Sequence, residues 1–263
     1  MGIRFLVASG VLLIILKVRR ISIPLTRDAR VLYVSLTFLT FSVPFGLVYW
    51  AEQYVASGLG SVLFAAFPFW VALFSQILLP GERLNGFKAA GILLGFTGIV
   101  VIFSHDIRFA GEGGVLPLVA LVASTILQAL STILVSRYGK PVSPFAMNFV
   151  GMLSGGVLLT LFGLITEPME NIVWNGAAVG SILYLAVFGS VVAFVTYHWL
   201  LKRIEAVYIS FTTFINPIIA VILGAVVLDE RLSAGTLAGA ACVLLGILVA
   251  NGRWILRRGK AAS

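Results

Sequence analysis

Cysteine is almost absent. Cys242 stands alone, so the chain can build neither a disulfide framework nor a cysteine-based zinc site, and its place in an apolar run suits a small buried hydrophobe. Charge is scarce too: Asp, Glu, Lys and Arg make up 11% of the 263 residues, and histidine occurs twice. The ten acidic residues fall between the apolar runs or at their ends. Paired carboxylates are therefore missing from the apolar runs, and so is the buried acid that proton- and sodium-coupled transporters usually carry. G-x-S-x-G, H-E-x-x-H and the glycine-rich phosphate loop are absent as well, which removes the signatures of serine hydrolases, zinc proteases and nucleotide-driven enzymes. The expectation is a non-enzyme with no catalytic residues, no metal and no cofactor.

What the chain has is apolar length. Hydrophobic residues make up 60% of it and the mean hydropathy is +1.09, too little polar surface to cover a soluble globule. A bilayer crossing needs about 20 apolar residues. Runs of that order lie at 31–50, 56–79, 86–104, 114–136, 143–165, 176–199, 206–228 and 235–252, with a shorter one at 2–16. Short connections leave no room for a soluble domain. Backbone exposed to lipid must satisfy its own hydrogen bonds, so the spans are helices and the fold class is all-α and polytopic.

Basic residues orient these spans. If the opening run starts outside, only Arg4, Arg108 and Arg231 of the 18 Lys and Arg lie on the outer side. The other fifteen lie inside, which matches the positive-inside rule and puts the C-terminus in the cytoplasm. Orientation accounts for the net charge of +8, so no nucleic-acid partner is expected.

Two stretches of the chain repeat one another. Pro68 matches Pro217, Glu82-Arg83-Leu84 matches Glu230-Arg231-Leu232, and the glycines at 91 and 98 match those at 239 and 246. Ser61 aligns with Ser210 and Trp50 with Trp199. The Glu82 loop falls inside and the Glu230 loop outside, so the copies have inverted topology. A proline-bearing helix, a short Glu-Arg-Leu loop and a glycine-studded helix, all duplicated, resemble the EamA-type permeases of the drug/metabolite transporter superfamily. The preceding TYHWLLKRIEAVYIS resembles that family's junction between the third and fourth helices of a repeat. This resemblance implies two inverted repeats of five helices, a central substrate path lined by both, metabolite transport without a cofactor, and a bacterial inner-membrane location.

Against that pattern one helix is lacking. Residues 114–257 hold five spans, whereas 1–104 hold four, and the opening segment aligns with the second helix of the later repeat through Gly10-Val11-Leu12-Leu13 and Gly156-Val157-Leu158-Leu159. A nine-span chain whose first repeat begins at its second helix is the expectation. At about 1.5 Å per residue, 2–16 reach roughly 22 Å, short of a full crossing. A signal peptide is disfavoured because Lys17-Val18-Arg19-Arg20 follows the apolar run, where a cleavage site belongs.

Candidate path residues are polar or aromatic groups at helical spacing. Ser61, Phe64 and Pro68 form one stripe and Ser210, Thr213 and Pro217 its counterpart; each proline frees a carbonyl one turn earlier. Ser124, Gln128 and Ser131 form a third stripe, and Asn148 and Asn216 add amides. A hydroxyl can bond a carbonyl one turn back, whereas amides such as Gln128 and Asn216 are harder to satisfy locally. Trp50, His198 and Trp199 are candidates for gating, with His198 also read as an interfacial residue near the inner end of its helix. Glu82 and Glu230 suit loop fixing and helix capping. The glycines of the last helix of each repeat suit close packing, with a dimer interface as the sharper use. No Lys or Arg is expected inside a span, which disfavours phosphorylated cargo. The expected partners are the bilayer and a small neutral or zwitterionic metabolite such as an amino acid, carried outward by alternating access of a monomer or homodimer. Rival readings are a truncated remnant that no longer transports and an intramembrane lipid-modifying enzyme.

Overall fold

The computed structural model describes residues 1–55, 60, 63–79, 84–102, 114–166, 174–215, 219 and 234–261. Among them there is no strand. The helices are α1 (Gly2–Val18), α2 (Arg27–Ala51), α3 (Phe67–Leu78), α4 (Gly86–Ile102), α5 (Leu116–Tyr138), α6 (Pro144–Thr166), α7 (Gly176–Leu201), α8 (Ala206–Ser210) and α9 (Ala234–Ala261). By length and composition α2, α5, α6 and α7 can cross a bilayer; α3, α4 and the Leu237–Ala250 part of α9 are shorter apolar helices. Helix starts follow local chemistry. Thr26, Asn85 and Asn175 accept hydrogen bonds from Ala29, Lys88 and Ala178, respectively, taking up amides that have no partner in the first turn. At the other end of α1, Arg20 (φ 50°) adopts the left-handed conformation and Ile21 N–H reaches back to Leu16 O, a turn that stops the helix.

One expectation needs correction: 56–79 is not one uninterrupted helix. The backbone turns at Ala65 and Ala66, and α3 starts at Phe67 with Pro68 in its first turn, where the missing N–H leaves no helical bond unmade. In the second copy α8 tightens after Ser210 into a 3₁₀ turn, Phe211–Phe214, just before the position of Pro217.

The chain divides into two compact units. The first comprises Met1–Gly46 and Leu130–Ile204. Here α1 lies on α6, where glycines permit a backbone approach that supplies van der Waals contact without a hydrophobic drive between helices in lipid. A β-carbon on Gly156 would stand 3.1 Å from both Leu6 N and Phe5 Cβ, and one on Gly155 would stand 2.6 Å from Phe41 Cβ. On the loop side, Lys202 donates to Val142 O at 3.0 Å; burial, and after it the charge of Arg203, pushes the Lys202 ammonium below the ordinary lysine value.

The second unit comprises Leu47–Ala129 and Glu205–Ser263. Its largest interface is α4 against α9. A β-carbon on Gly91 would stand 2.6 Å from Gly246 O, and one on Gly98 would stand 2.6 Å from Gly239 O. Since 91 corresponds to 239 and 98 to 246, exchanging the copies maps one contact onto the other and makes the helices antiparallel. The glycines thus serve packing inside the unit. Buried Lys88 pairs with Glu205 and lies 4.8 Å from the Tyr208 ring centre. Ala51, Ala120 and Leu121 form a small core covered by Leu47, Val55, Leu63 and Phe64.

Candidate functional site

Two long helices of the first unit carry the same irregularity. Helix α2 widens into a π-turn over Thr37–Ser42, and α7 does so over Val187–Val192. In α2 the cause is Pro44, which has no N–H for the carbonyl of Thr40 and whose ring pushes that carbonyl aside. Ser42 Oγ donates to Thr37 O at 2.6 Å and Thr37 Oγ1 to Tyr33 O at 2.8 Å, so the widened turn is stitched by its own hydroxyls. In α7 the turn contains Gly189-Ser190, a small-residue pair of the kind found where helices bend. An arginine from another helix serves it: Arg4 of α1 donates from Nε to Ser190 Oγ and from Nη2 to Gly189 O, both at 2.8 Å. Single π-turns concentrate at functional sites, and here two lie within one residue of matching positions.

The Arg4 contact overturns the expectation of no cation inside a span. Gly189 lies 13 residues from one end of α7 and 12 from the other, so the guanidinium sits about 18–20 Å from both ends of that helix. The side chain, not its place near the start of the chain, sets its depth. Insertion scales put an arginine at a helix centre at roughly 2.5–3.5 kcal/mol. Hydrogen bonds to a charged group contribute about 1.5–3 kcal/mol each, enough for Gly189 and Ser190 to offset that penalty.

Around Arg4 stands an aromatic cluster. The Phe5 ring centre is 5.7 Å from the guanidinium carbon and meets Phe41 at 5.3 Å and Phe45 at 5.0 Å, both edge to face. Phe194 contacts Phe41 at 4.9 Å and Phe45 at 6.3 Å. Phe45 and Phe194 share the 149-residue offset that relates Trp50 to Trp199, so matching residues of the two copies meet here. Buried polar groups complete the site. Ser131 bonds Thr40 at 2.6 Å and Ser35 at 3.4 Å, Thr132 bonds Tyr197 at 3.1 Å, and His198 Nδ1 lies 3.0 Å from Asn148 Oδ1. Asn148 Nδ2 donates to Pro144 O, so its oxygen must accept from His198, which fixes the Nδ1–H tautomer.

The sequence-derived candidates meet different fates. His198 is 2% exposed and hydrogen-bonded to Asn148, in the last turn of α7. Trp50 and Trp199 lie at exposed ends of α2 and α7, Trp50 at a tilt against Tyr54 and Trp199 under the Arg203 guanidinium. Of the third stripe, Ser131 joins the cluster, Ser124 bonds Leu121 O within its own helix, and Gln128 is half-buried on α5. Ser210 likewise bonds Val207 O. Phe64 packs on the Ala51 core, Pro68 is buried and Thr213 is half-buried, all in the second unit. Ser61, Asn216, Pro217, Glu82 and Glu230 lie outside the described residues; the cap of α4 is Asn85. Sequence reading missed Arg4, Pro44 and Gly189-Ser190, although a proline and a Gly-Ser pair inside long apolar runs were available signals.

A bundle of apolar helices with polar, hydrogen-bonded groups in its spans defines a multi-span helical membrane protein. The chain belongs to the EamA-like transporter family, which matches residues 1–104 and 115–252, and is a membrane permease. Among its relatives are the "Uncharacterized transporter YvbV" of Bacillus subtilis strain 168, 28% identical over 95% of this chain and 81% of that protein, and the "Uncharacterized inner membrane transporter YedA" of Escherichia coli K12, 28% identical over 97% and 81%. A crystal structure superposes with a TM-score of 0.84 at 20% identity, covering 95% of this chain and 86% of the other, a likeness of fold.

Proposed function

We propose that this permease resides in the bacterial inner membrane with its C-terminus in the cytoplasm and exports small neutral or zwitterionic metabolites, such as amino acids. It works by alternating access of two inverted repeats, 1–104 and 114–257. The observation that carries this reading is the exchange of matching features between the copies. The π-turns recur at corresponding places in α2 and α7, and the Gly91–Gly246 and Gly98–Gly239 contacts interchange. Inverted repeats of this kind can swap conformations, which is how one fold opens to either side of a membrane. Irregular backbone in α2 and α7 gives each copy a place to bend.

Purified protein in liposomes preloaded with a broad metabolite pool tests the reading. The expected result is release of one or more amino-acid-like solutes faster than from protein-free vesicles. Release no faster than from empty membrane across the whole pool, or hydrolysis of the lipid in its place, would sink it.

A further inference from the structure

We propose that Arg4 is a carboxylate-binding group, holding a small monoanionic carboxylate or the carboxylate of a zwitterion at mid-depth in the first unit. This rests on the transport reading above and names the chemistry its solute must present.

Among the described residues Arg4 is pinned by strong acceptors on one edge and meets none on the other. Its Nε and one Nη2 hydrogen are spent on Ser190 Oγ and Gly189 O at 2.8 Å. Nη1 meets only the Met1 sulfur, a weak acceptor, at 3.9 Å. The Nη1–Nη2 edge therefore keeps two donors in the fork that suits a carboxylate. Among the described residues the ion pair is Lys88–Glu205, and Arg4 has no carboxylate partner. An ionisable side chain at membrane depth is a functional-site candidate by default.

Surroundings select the class of anion. Phe5 and the rings packed on it wall the guanidinium with apolar surface, which strengthens a single charge pair and disfavours a second charge. One guanidinium neutralises one negative charge, so a dianionic phosphate ester would stay half unpaired. An open groove of about 550 Å³ lined by Ala177, Gly180, Ser181, Tyr184 and Leu185 runs from the Gly176 end of α7. Its Leu185 lies 3.5 Å from the β-carbon position of Gly189, and Arg4 Nη2 lies 3.0 Å from that same position.

Two measurements on the full chain in liposomes test this. Phenylglyoxal labelling of Arg4, read by peptide mass, is run with the pooled proteinogenic L-amino acids and with their carboxamides. Uptake of both pools is then measured for the wild type, Arg4→Gln and Arg4→Lys. The acids are expected to slow labelling and the amides not to. Acid uptake is expected to fall roughly tenfold or more in Arg4→Gln, the loss of one charge-assisted pair, and by less in Arg4→Lys, which keeps the charge but not the fork. Equal labelling with and without the acids, or an unchanged acid-to-amide ratio in Arg4→Gln, overturns the proposal even when transport is intact. Protection without wild-type uptake leaves the site standing and removes the transport reading; neither protection nor uptake removes both.

Discussion

The carbonyl oxygen of Gly246 lies 2.6 Å from the point where a β-carbon on Gly91 would stand, and the β-carbon of Ala250 lies 2.5 Å from it. Real side chains do not approach so closely, so α4 and α9 can come this near at this point only because position 91 has no side chain. Gly86, at the start of α4, has nothing within 4 Å of the same point. The two glycines make a matched pair for measurement. Gly86→Ala should leave stability unchanged or raise it by up to about 1 kcal/mol through helix propensity. Gly91→Ala should lower it by about 1–3 kcal/mol through overpacking, despite the same gain in propensity. Thermal melts of the purified variants decide it, and shifts of equal sign would show that the glycine contact does not hold α4 to α9.

His198 and Asn148, fifty positions apart, form a buried pair with a fixed direction, the ring N–H donating to the amide oxygen. Asn148→Leu strands the ring donor and should cost about 1–3 kcal/mol. His198→Leu strands the amide oxygen at similar cost. The double variant removes both needs at once, so it should be less destabilised than the sum of the singles by about 0.5–3 kcal/mol. Additive melting shifts would mean that the two side chains do not interact.

These contacts mark how far the sequence could be read. Apolar run length located α2, α5, α6 and α7, because lipid imposes it on any span. Matched glycine spacing marked α4 and α9 for close packing, because close helix packing requires small residues at helical intervals, but that the two pack on each other was not written in it. The π-turns were not legible, since Thr37–Ser42 and Val187–Val192 are as apolar with one extra residue in the turn as without it. Pro44 alone hinted at the first. Nor was the depth of Arg4 legible, because a long side chain takes its depth from the helix it docks on. The partner of His198 on α6 lies beyond any local pattern. Of the proposed path residues, Ser131 meets Thr40 only through the packing of α2 on α5.

Pro44 offers the test of whether the π-turn in α2 serves function. Pro44→Ala restores the N–H that Thr40 O lacks, and the helix can close to regular α geometry. Loss of one inserted residue would turn the following segment by about 100° and carry Phe45 away from Phe5 and Phe194. Two aromatic pairs at about 0.5–1.5 kcal/mol each are then lost. Against them stands up to about 3 kcal/mol from replacing a proline inside a helix. The terms nearly cancel, so the melting midpoint should stay within a few degrees of the wild type. Transport should not be spared, because Phe45 and Phe194 are the matching residues of the two copies and their contact depends on the turn. A fall of roughly tenfold in solute flux, equivalent to about 1.4 kcal/mol in barrier, is expected at near-native stability. If flux in liposomes matches the wild type while the midpoint rises, the π-turn is a packing feature of α2 and has no part in the transport cycle.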